Sequence, residues 1–222
     1  MIAALGPARY RPVAPDLRGH GTAGRARPIS FAACASDVLD AAPGRFALAG
    51  YSLGGRVALH AALEAPERVT RLVLVATTAG LEDPASRAER RRADHDLAAW
   101  AEHADRESWI RRWTAQPIFA GTPPEAAARW ERDLRRSDPG DLAAVLRGIG
   151  TGEMTPLWDR LPTLTMPVDV VVGERDARFT ALGRRLAAAL PRARLTVVPG
   201  AGHGLPREAP AALAALLEES WA

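Results

Sequence analysis

Lysine and asparagine are absent from this 222-residue chain, and all 29 basic residues are arginine. Without a lysine amine there is no Schiff base to a carbonyl or to pyridoxal phosphate, and no P-loop lysine to reach a phosphate. Cysteine occurs once, at Cys34. That excludes an intrachain disulfide, agrees with a reducing compartment and makes Cys34 a small buried hydrophobe. No apolar run approaches the roughly 18 to 20 residues that cross a bilayer. The opening Met1-Ile2-Ala3-Ala4-Leu5-Gly6-Pro7 is too short for a signal peptide and lacks a basic flank. The expected protein is cytoplasmic and has no membrane association. No His, Cys and Asp cluster has metal-ligand spacing, and no G-x-G-x-x-G follows a first strand, so neither a metal nor an organic cofactor is expected.

The sequence pI is 9.9, yet the net charge is only +3 and the arginines are interleaved with Asp and Glu. Small acidic molecules fit that pattern better than nucleic acid. The length suits one α/β domain, read as a monomer with a substantial core.

The informative stretch is Phe46 to His60. A short apolar strand runs into Gly50-Tyr51-Ser52-Leu53-Gly54-Gly55, and a helix follows at once. This G-x-S-x-G pattern is a nucleophile elbow, in which a serine sits on a strained strand-to-helix turn and small residues stand where the backbones crowd. It exposes Ser52 at the carboxyl edge of a sheet. It also sets the Leu53 amide at a helix N-terminus, where partial positive charge stabilises a developing oxyanion.

Around the elbow, strands alternate with helices. Arg11 to Leu17 reads as a strand before the turn Arg18-Gly19-His20-Gly21, and Phe31 to Ala42 as a helix ended by Pro43-Gly44. Further strands are expected at Arg71–Ala76, Pro167–Gly173 and Arg194–Pro199, with a helix from Thr180 to Leu190. Such alternation predicts right-handed crossovers and a parallel sheet. The middle breaks it. Leu97, Trp100, Ala101 and Ala104 share a helical face, Ile110 and Trp113 continue an apolar pattern, and Gly121-Thr122-Pro123-Pro124 and Asp138-Pro139-Gly140 read as loops. The expected organisation is a core at 1–79 and 163–222, with a helical lid at 80–162.

A serine nucleophile needs a base, and the base needs an orienting acid, here in the chain order Ser, Asp or Glu, His. Glu174-Arg175-Asp176 follows one C-terminal strand, and Gly200-Ala201-Gly202-His203-Gly204 follows the next. Ser52, His203 and Asp176 are thus the candidates for nucleophile or base, proton relay and orienting acid, with Glu174 as the competitor for the last role. His20 reads as structural, His60 as part of the elbow helix, and His95 and His103 as solvated.

At this point the chain resembles the α/β-hydrolase superfamily along its whole length, and within it the 2-succinyl-6-hydroxy-2,4-cyclohexadiene-1-carboxylate synthases of menaquinone biosynthesis. The resemblance is carried by Gly50 to Ala58, Arg87-Ala88-Glu89-Arg90 with Asp94, Gln116-Pro117-Ile118-Phe119, Gly148-Ile149-Gly150-Thr151-Gly152 and Gly173 to Phe179. It implies a cofactor-independent lyase whose triad abstracts a proton and expels pyruvate, rather than forming an acyl-enzyme. It implies a polycarboxylate substrate held by Arg56, Arg90 and either Arg135 or Arg136, with Tyr51 and Trp113 lining the pocket. A serine hydrolase of the same fold is the alternative. The family also opens with three further strands and a His-Gly-aromatic loop that supplies a second oxyanion donor. The expectation is therefore a fold lacking those strands, with Val13 unpartnered beside Leu48, and a truncated, inactive fragment is a further alternative.

Overall fold

The computed structural model describes residues 11–221. Its frame is a four-stranded parallel sheet, β1 (Phe46–Tyr51), β2 (Val69–Val75), β3 (Val168–Gly173) and β4 (Ala193–Val198), hydrogen-bonded in that order. The strand residues point alternately to the two faces, as a period of two requires. Leu72, Leu74, Val168 and Val170 join one core cluster, and Val73, Val75 and Val171 join another.

The first face packs under α1 (Phe31–Ala41), α2 (Leu53–Glu64) and part of α7 (Ala177–Ala189), through Cys34, Val57, Leu59 and Leu186. The second lies under α9 (Pro210–Trp221), through Leu213 and Leu217. Leu59, Leu72, Leu74 and Leu213 have no solvent exposure, and each such side chain contributes about 1.5 to 3 kcal/mol by leaving water. Most of β2 and β3 is therefore covered on both faces, which is why Leu72–Val75 and Val170–Val172 read as apolar runs. One charge interrupts β3. Asp169, 3% exposed, accepts from Arg71 Nε at 2.9 Å, Arg194 Nε at 3.0 Å and Ser220 Oγ at 2.8 Å, tying β2, β4 and α9 together.

Between β2 and β3 the chain forms α3 (Pro84–Ala101), α4 (Arg106–Thr114), a 3-10 turn (Pro117–Phe119), α5 (Pro124–Leu134) and α6 (Pro139–Ile149). These helices have a core of their own, in which Ala98, Ala101, Trp109, Ile110, Leu142 and Leu146 meet. Capping explains where they begin. Asp83, Asp105 and Asp138 each accept a backbone N–H of the first turn, and proline at the first helical position of α3, α5 and α6 forfeits an amide that has no partner there. No helix among the described residues is long and apolar enough to cross a membrane.

Four expectations need correction. Arg11–Leu17 is not a strand. Pro12 and Pro15 remove ladder donors, and the segment faces β1 across a cavity of about 490 Å³ lined by Val13, Leu17, Phe46, Leu48 and Trp221. Asp138-Pro139-Gly140 is the start of α6 rather than a loop, because Asp138 accepts the Gly140 N–H at 2.9 Å. Helix α7 begins at Ala177, ahead of the expected Thr180, because Asp176 caps it through the Phe179 N–H. Ala104 lies beyond the end of α3, whose buried residues are Asp94, Ala98 and Ala101.

Candidate active site

At the end of β1 the backbone reverses through Ser52, whose φ of +49° and ψ of −110° leave the regions open to an ordinary side chain. Neighbouring contacts hold it there. The Ser52 N–H donates to Val75 O at 2.9 Å, and Thr77 Oγ1 donates to Ser52 O at 2.8 Å. A Cβ on Gly50 would stand 2.3 Å from Gly54 O, and one on Gly55 would stand 2.6 Å from Thr77 Cβ. Gly54, by contrast, has nothing within 4 Å of where its Cβ would lie. The crowded glycines are thus 50 and 55, and the second glycine of the elbow motif is not sterically required. Helix α2 starts at Leu53, so the Leu53 amide belongs to the helix-start donors with no partner inside the helix.

The loops after β3 and β4 deliver the other two groups. His203 Nε2 lies 3.2 Å from Ser52 Oγ, and His203 Nδ1 lies 2.9 Å from Asp176 Oδ2. Asp176 Oδ1 is occupied by the Phe179 N–H at 3.0 Å, so the carboxylate is fixed by the helix it caps. Glu174 points elsewhere and accepts the Gly200 N–H. His203 is 3% exposed, with the rings of Phe179, Tyr51 and Phe119 centred 4.5, 5.5 and 6.1 Å from its own. Burial raises the Tyr51 phenol above its ordinary value, which keeps it neutral.

Ser52 and His203 open into a cavity of about 570 Å³, whose walls also include Tyr51, Leu53, Arg56, Arg90 and Trp113. Arg56, one turn beyond Ser52 on α2, is half-buried. Burial, and then the charge of Arg90, lower its guanidinium to about 10, against the opposing pull of Asp94. Its Nη1 donates to Ile149 O at 3.0 Å, and its guanidinium carbon lies 5.6 Å from the Phe31 ring centre. His60, stacked on the Phe31 ring at 4.4 Å, bonds the Arg56 carbonyl through Nδ1 at 2.8 Å. Arg90 Nε donates to Asp94 Oδ1 at 2.8 Å. Asp94 thus pairs with Arg90, while its charge acts on Arg56 without a hydrogen bond.

Arg135 and Arg136 do not reach the cavity. Arg135 pairs with Glu107 on α4, and Arg136 with Asp16 at 3.3 Å. Both arginines are exposed, and each is held by a carboxylate that does not line the cavity, Glu107 in the helical segment and Asp16 ahead of α1. The walls instead carry Arg178 and Arg207, neither singled out from the sequence. Arg207 stands four residues after His203, as Arg56 stands four after Ser52, and that spacing was the available signal. Its Nη2 lies 2.9 Å from Asp133 and its guanidinium 4.9 Å from the Trp130 ring centre. His20 also lines the cavity rather than only shaping a turn, and burial lowers its imidazole below the ordinary value. His95 is partly exposed and bonds Glu153. Among the described residues no three or more His, Cys, Asp or Glu side chains group as metal ligands.

An elbow serine after β1, an aspartate after β3 and a histidine after β4 of a parallel sheet have their counterpart among known proteins, since residues 1–216 match the alpha/beta hydrolase family. This chain belongs to the α/β-hydrolase family. Within it, the chain is 36% identical over 171 residues to the 2-succinyl-6-hydroxy-2,4-cyclohexadiene-1-carboxylate synthase of Salmonella heidelberg (strain SL476), covering 75% of this chain and 64% of that one. It is 33% identical over 216 residues to the enzyme of the same name from Enterobacter sp. (strain 638), covering 92% and 79%. The structure of MenH from S. aureus superposes with a TM-score of 0.85 at 27% identity, over 92% of this chain and 80% of that one. This hydrolase-family chain thus spans just under two thirds of the length of several curated relatives that it matches.

Proposed function

We propose that the protein is a cofactor-independent lyase that eliminates pyruvate from 2-succinyl-5-enolpyruvyl-6-hydroxy-3-cyclohexene-1-carboxylate. One observation carries the reading. Arg56 lines the cavity one helical turn beyond Ser52, and the carboxylate whose charge acts on it, Asp94, is already paired with Arg90. A cation partly withdrawn from water without a full counter-charge is costly, and an anionic substrate would supply the missing charge. The reaction product named for the curated relatives is itself a carboxylate bearing a succinyl group.

In this reading His203, oriented by Asp176, draws the proton from Ser52, and the Ser52 oxygen removes a proton from the ring carbon beside the succinyl carbonyl. The electron pair left on that carbon moves toward the carbonyl, whose developing negative charge faces the Leu53 amide. Its return forms a ring double bond between C2 and C3, moves the existing C3–C4 double bond to C4–C5 and so breaks the bond from C5 to the enolpyruvyl oxygen. The leaving enolate takes a proton and becomes pyruvate. Arg56 and Arg90 hold carboxylate in bidentate geometry, while Tyr51 and Trp113 pack on the ring. Residues 80–162, which bring Arg90, Trp113 and Phe119 to the cavity, serve as the lid that excludes water from the carbanion.

Pyruvate release in a coupled lactate dehydrogenase assay tests this. Ser52→Ala should lose at least about a thousandfold in turnover. A folded protein that releases no pyruvate sinks the lyase assignment. Hydrolysis of a neutral ester by the same sample would favour the serine-hydrolase reading, which the largely aromatic wall of Trp109, Trp113, Phe119 and Trp130 also suits.

A further inference from the structure

Glu208 ends the short helix α8 (Leu205–Glu208), and its side chain is 3% exposed although it carries a carboxylate. Its partners explain the burial. Oε2 accepts the Gly202 N–H at 2.8 Å, and Oε1 accepts the Gly204 N–H at 3.0 Å. The amides on either side of His203 therefore end on one carboxyl group. A Cβ on Gly202 would stand 3.1 Å from both carboxylate oxygens and one on Gly204 2.8 Å from Oε1, so the carboxylate fills the space that a side chain would need.

Arg175 holds that carboxylate from the opposite loop. Its Nη2 donates to Glu208 Oε2 at 2.6 Å, its Nε to Gly200 O at 2.9 Å and its backbone N–H to Ala201 O at 2.9 Å. The remaining nitrogen, Nη1, donates to Gly121 O at 2.6 Å, two residues beyond Phe119. One ion pair thus joins the loop of Asp176, the loop of His203 and the segment that lays Phe119 near the imidazole. All the groups aimed at Glu208 are donors. Only a full carboxylate satisfies them, because an amide would turn its own N–H₂ toward one of the donors.

We propose that Glu208 is a positioning residue for His203: by taking both flanking amides while anchored by Arg175, it fixes the imidazole between Asp176 and Ser52. The inference rests on Ser52, His203 and Asp176 acting together. It predicts that the reactivity of Ser52 depends on a side chain that touches neither substrate nor the histidine ring.

The test is the second-order rate at which a fluorophosphonate probe labels Ser52 at neutral pH, since that rate reads serine activation whether the natural reaction is elimination or hydrolysis. Glu208→Gln should label about ten- to a hundredfold more slowly, with its urea midpoint near the parent's. Arg175→Gln should lose less, about three- to tenfold, because the carboxylate keeps both amides. In pyruvate release the same variants should lower kcat and leave KM within about twofold, the sign that geometry rather than binding changed. Glu219→Gln, which removes an exposed partner of Arg194, should label like the parent. A folded Glu208→Gln that labels at the parent rate overturns the proposal. Should Glu208→Gln fail to fold, parent-like labelling of Arg175→Gln overturns it instead. A parent that does not label at all removes the catalytic reading of Ser52, and the inference with it, and is distinguished from the first outcome by the parent alone.

Discussion

His203 and Ser52 are 151 residues apart in the chain and 3.2 Å apart at Nε2 and Oγ. The sheet makes that meeting possible. β1 and β4 are the two outer strands of the described sheet, and the loops beyond both their carboxyl ends turn toward the same cavity. Asp176 completes the contact from the loop after β3, and because it caps α7 its position is set by a helix rather than by a free loop.

Arg56→Ala should separate the two candidate chemistries. Loss of a charged hydrogen-bond partner to a buried carboxylate costs about 1.5 to 3 kcal/mol. Pyruvate release should therefore fall by about 10- to 150-fold in kcat/KM, whereas hydrolysis of a neutral ester should change little. Equal losses with both substrates would argue against carboxylate binding by Arg56.

A comparison of arginines tests the geometry of the wall. Arg135→Ala and Arg136→Ala remove exposed ion pairs outside the cavity and should leave pyruvate turnover within about twofold, as surface pairs usually do. Arg207→Ala removes a cavity-lining cation that also packs on Trp130. It should raise KM by about tenfold or more in the same steady-state assay.

The two elbow glycines should respond in opposite ways to alanine. Gly55→Ala drives a methyl into Thr77, 2.6 Å away, and should destabilise by about 1 to 3 kcal/mol. Gly54→Ala meets open space and should be neutral or stabilising by up to about 1 kcal/mol. Urea unfolding of both variants decides this, and a Gly54→Ala loss as large as that of Gly55→Ala would contradict the elbow geometry.

Asp169 should set part of the acid limb of stability. Burial raises its carboxyl, but hydrogen bonds from Ser220, Arg71 and Arg194 outweigh it and hold the group below its ordinary 3.8. A carboxylate depressed in the folded state adds stability that is complete above the unfolded value and is lost as pH falls through the folded one. The parent should thus lose stability as pH drops below about 4. Asp169→Asn should be less stable near neutrality and show a shallower fall in acid, as read from thermal midpoints across pH. A curve parallel to the parent's would show that Asp169 carries none of this dependence.

Legibility from sequence followed the range of the interaction. Strands β2 and β3 were readable because residues covered on both faces give apolar runs, Leu72–Val75 and Val170–Val172, and the elbow because the G-x-S-x-G spacing between a strand and a helix is local, although the contacts that hold Ser52 and crowd Gly55 come from Val75 and Thr77. Arg11–Leu17 has strand-like residues, yet a strand exists only through its ladder partner, and that partner is not encoded in the segment. Asp138 looked like part of a loop because Pro139 and Gly140 follow it, although the same three residues cap and open α6. The arginines were the least legible. Arg56 is fixed by its place on α2, but Arg135 and Arg136 were separable from Arg207 only by seeing Glu107, Asp16 and the cavity wall around them.

The sequence alone determined the alternating parallel frame, the serine turn and the order in which serine, acid and histidine follow strand ends, since each depends on local periodicity and spacing. Tertiary structure decided which of 29 arginines face the serine, why Gly55 rather than Gly54 is crowded, and that Glu208 grips the loop of His203. Those outcomes depend on which distant side chains share a few ångströms of low-dielectric space, and the energy of a charge there is set by its neighbours rather than by its place in the chain.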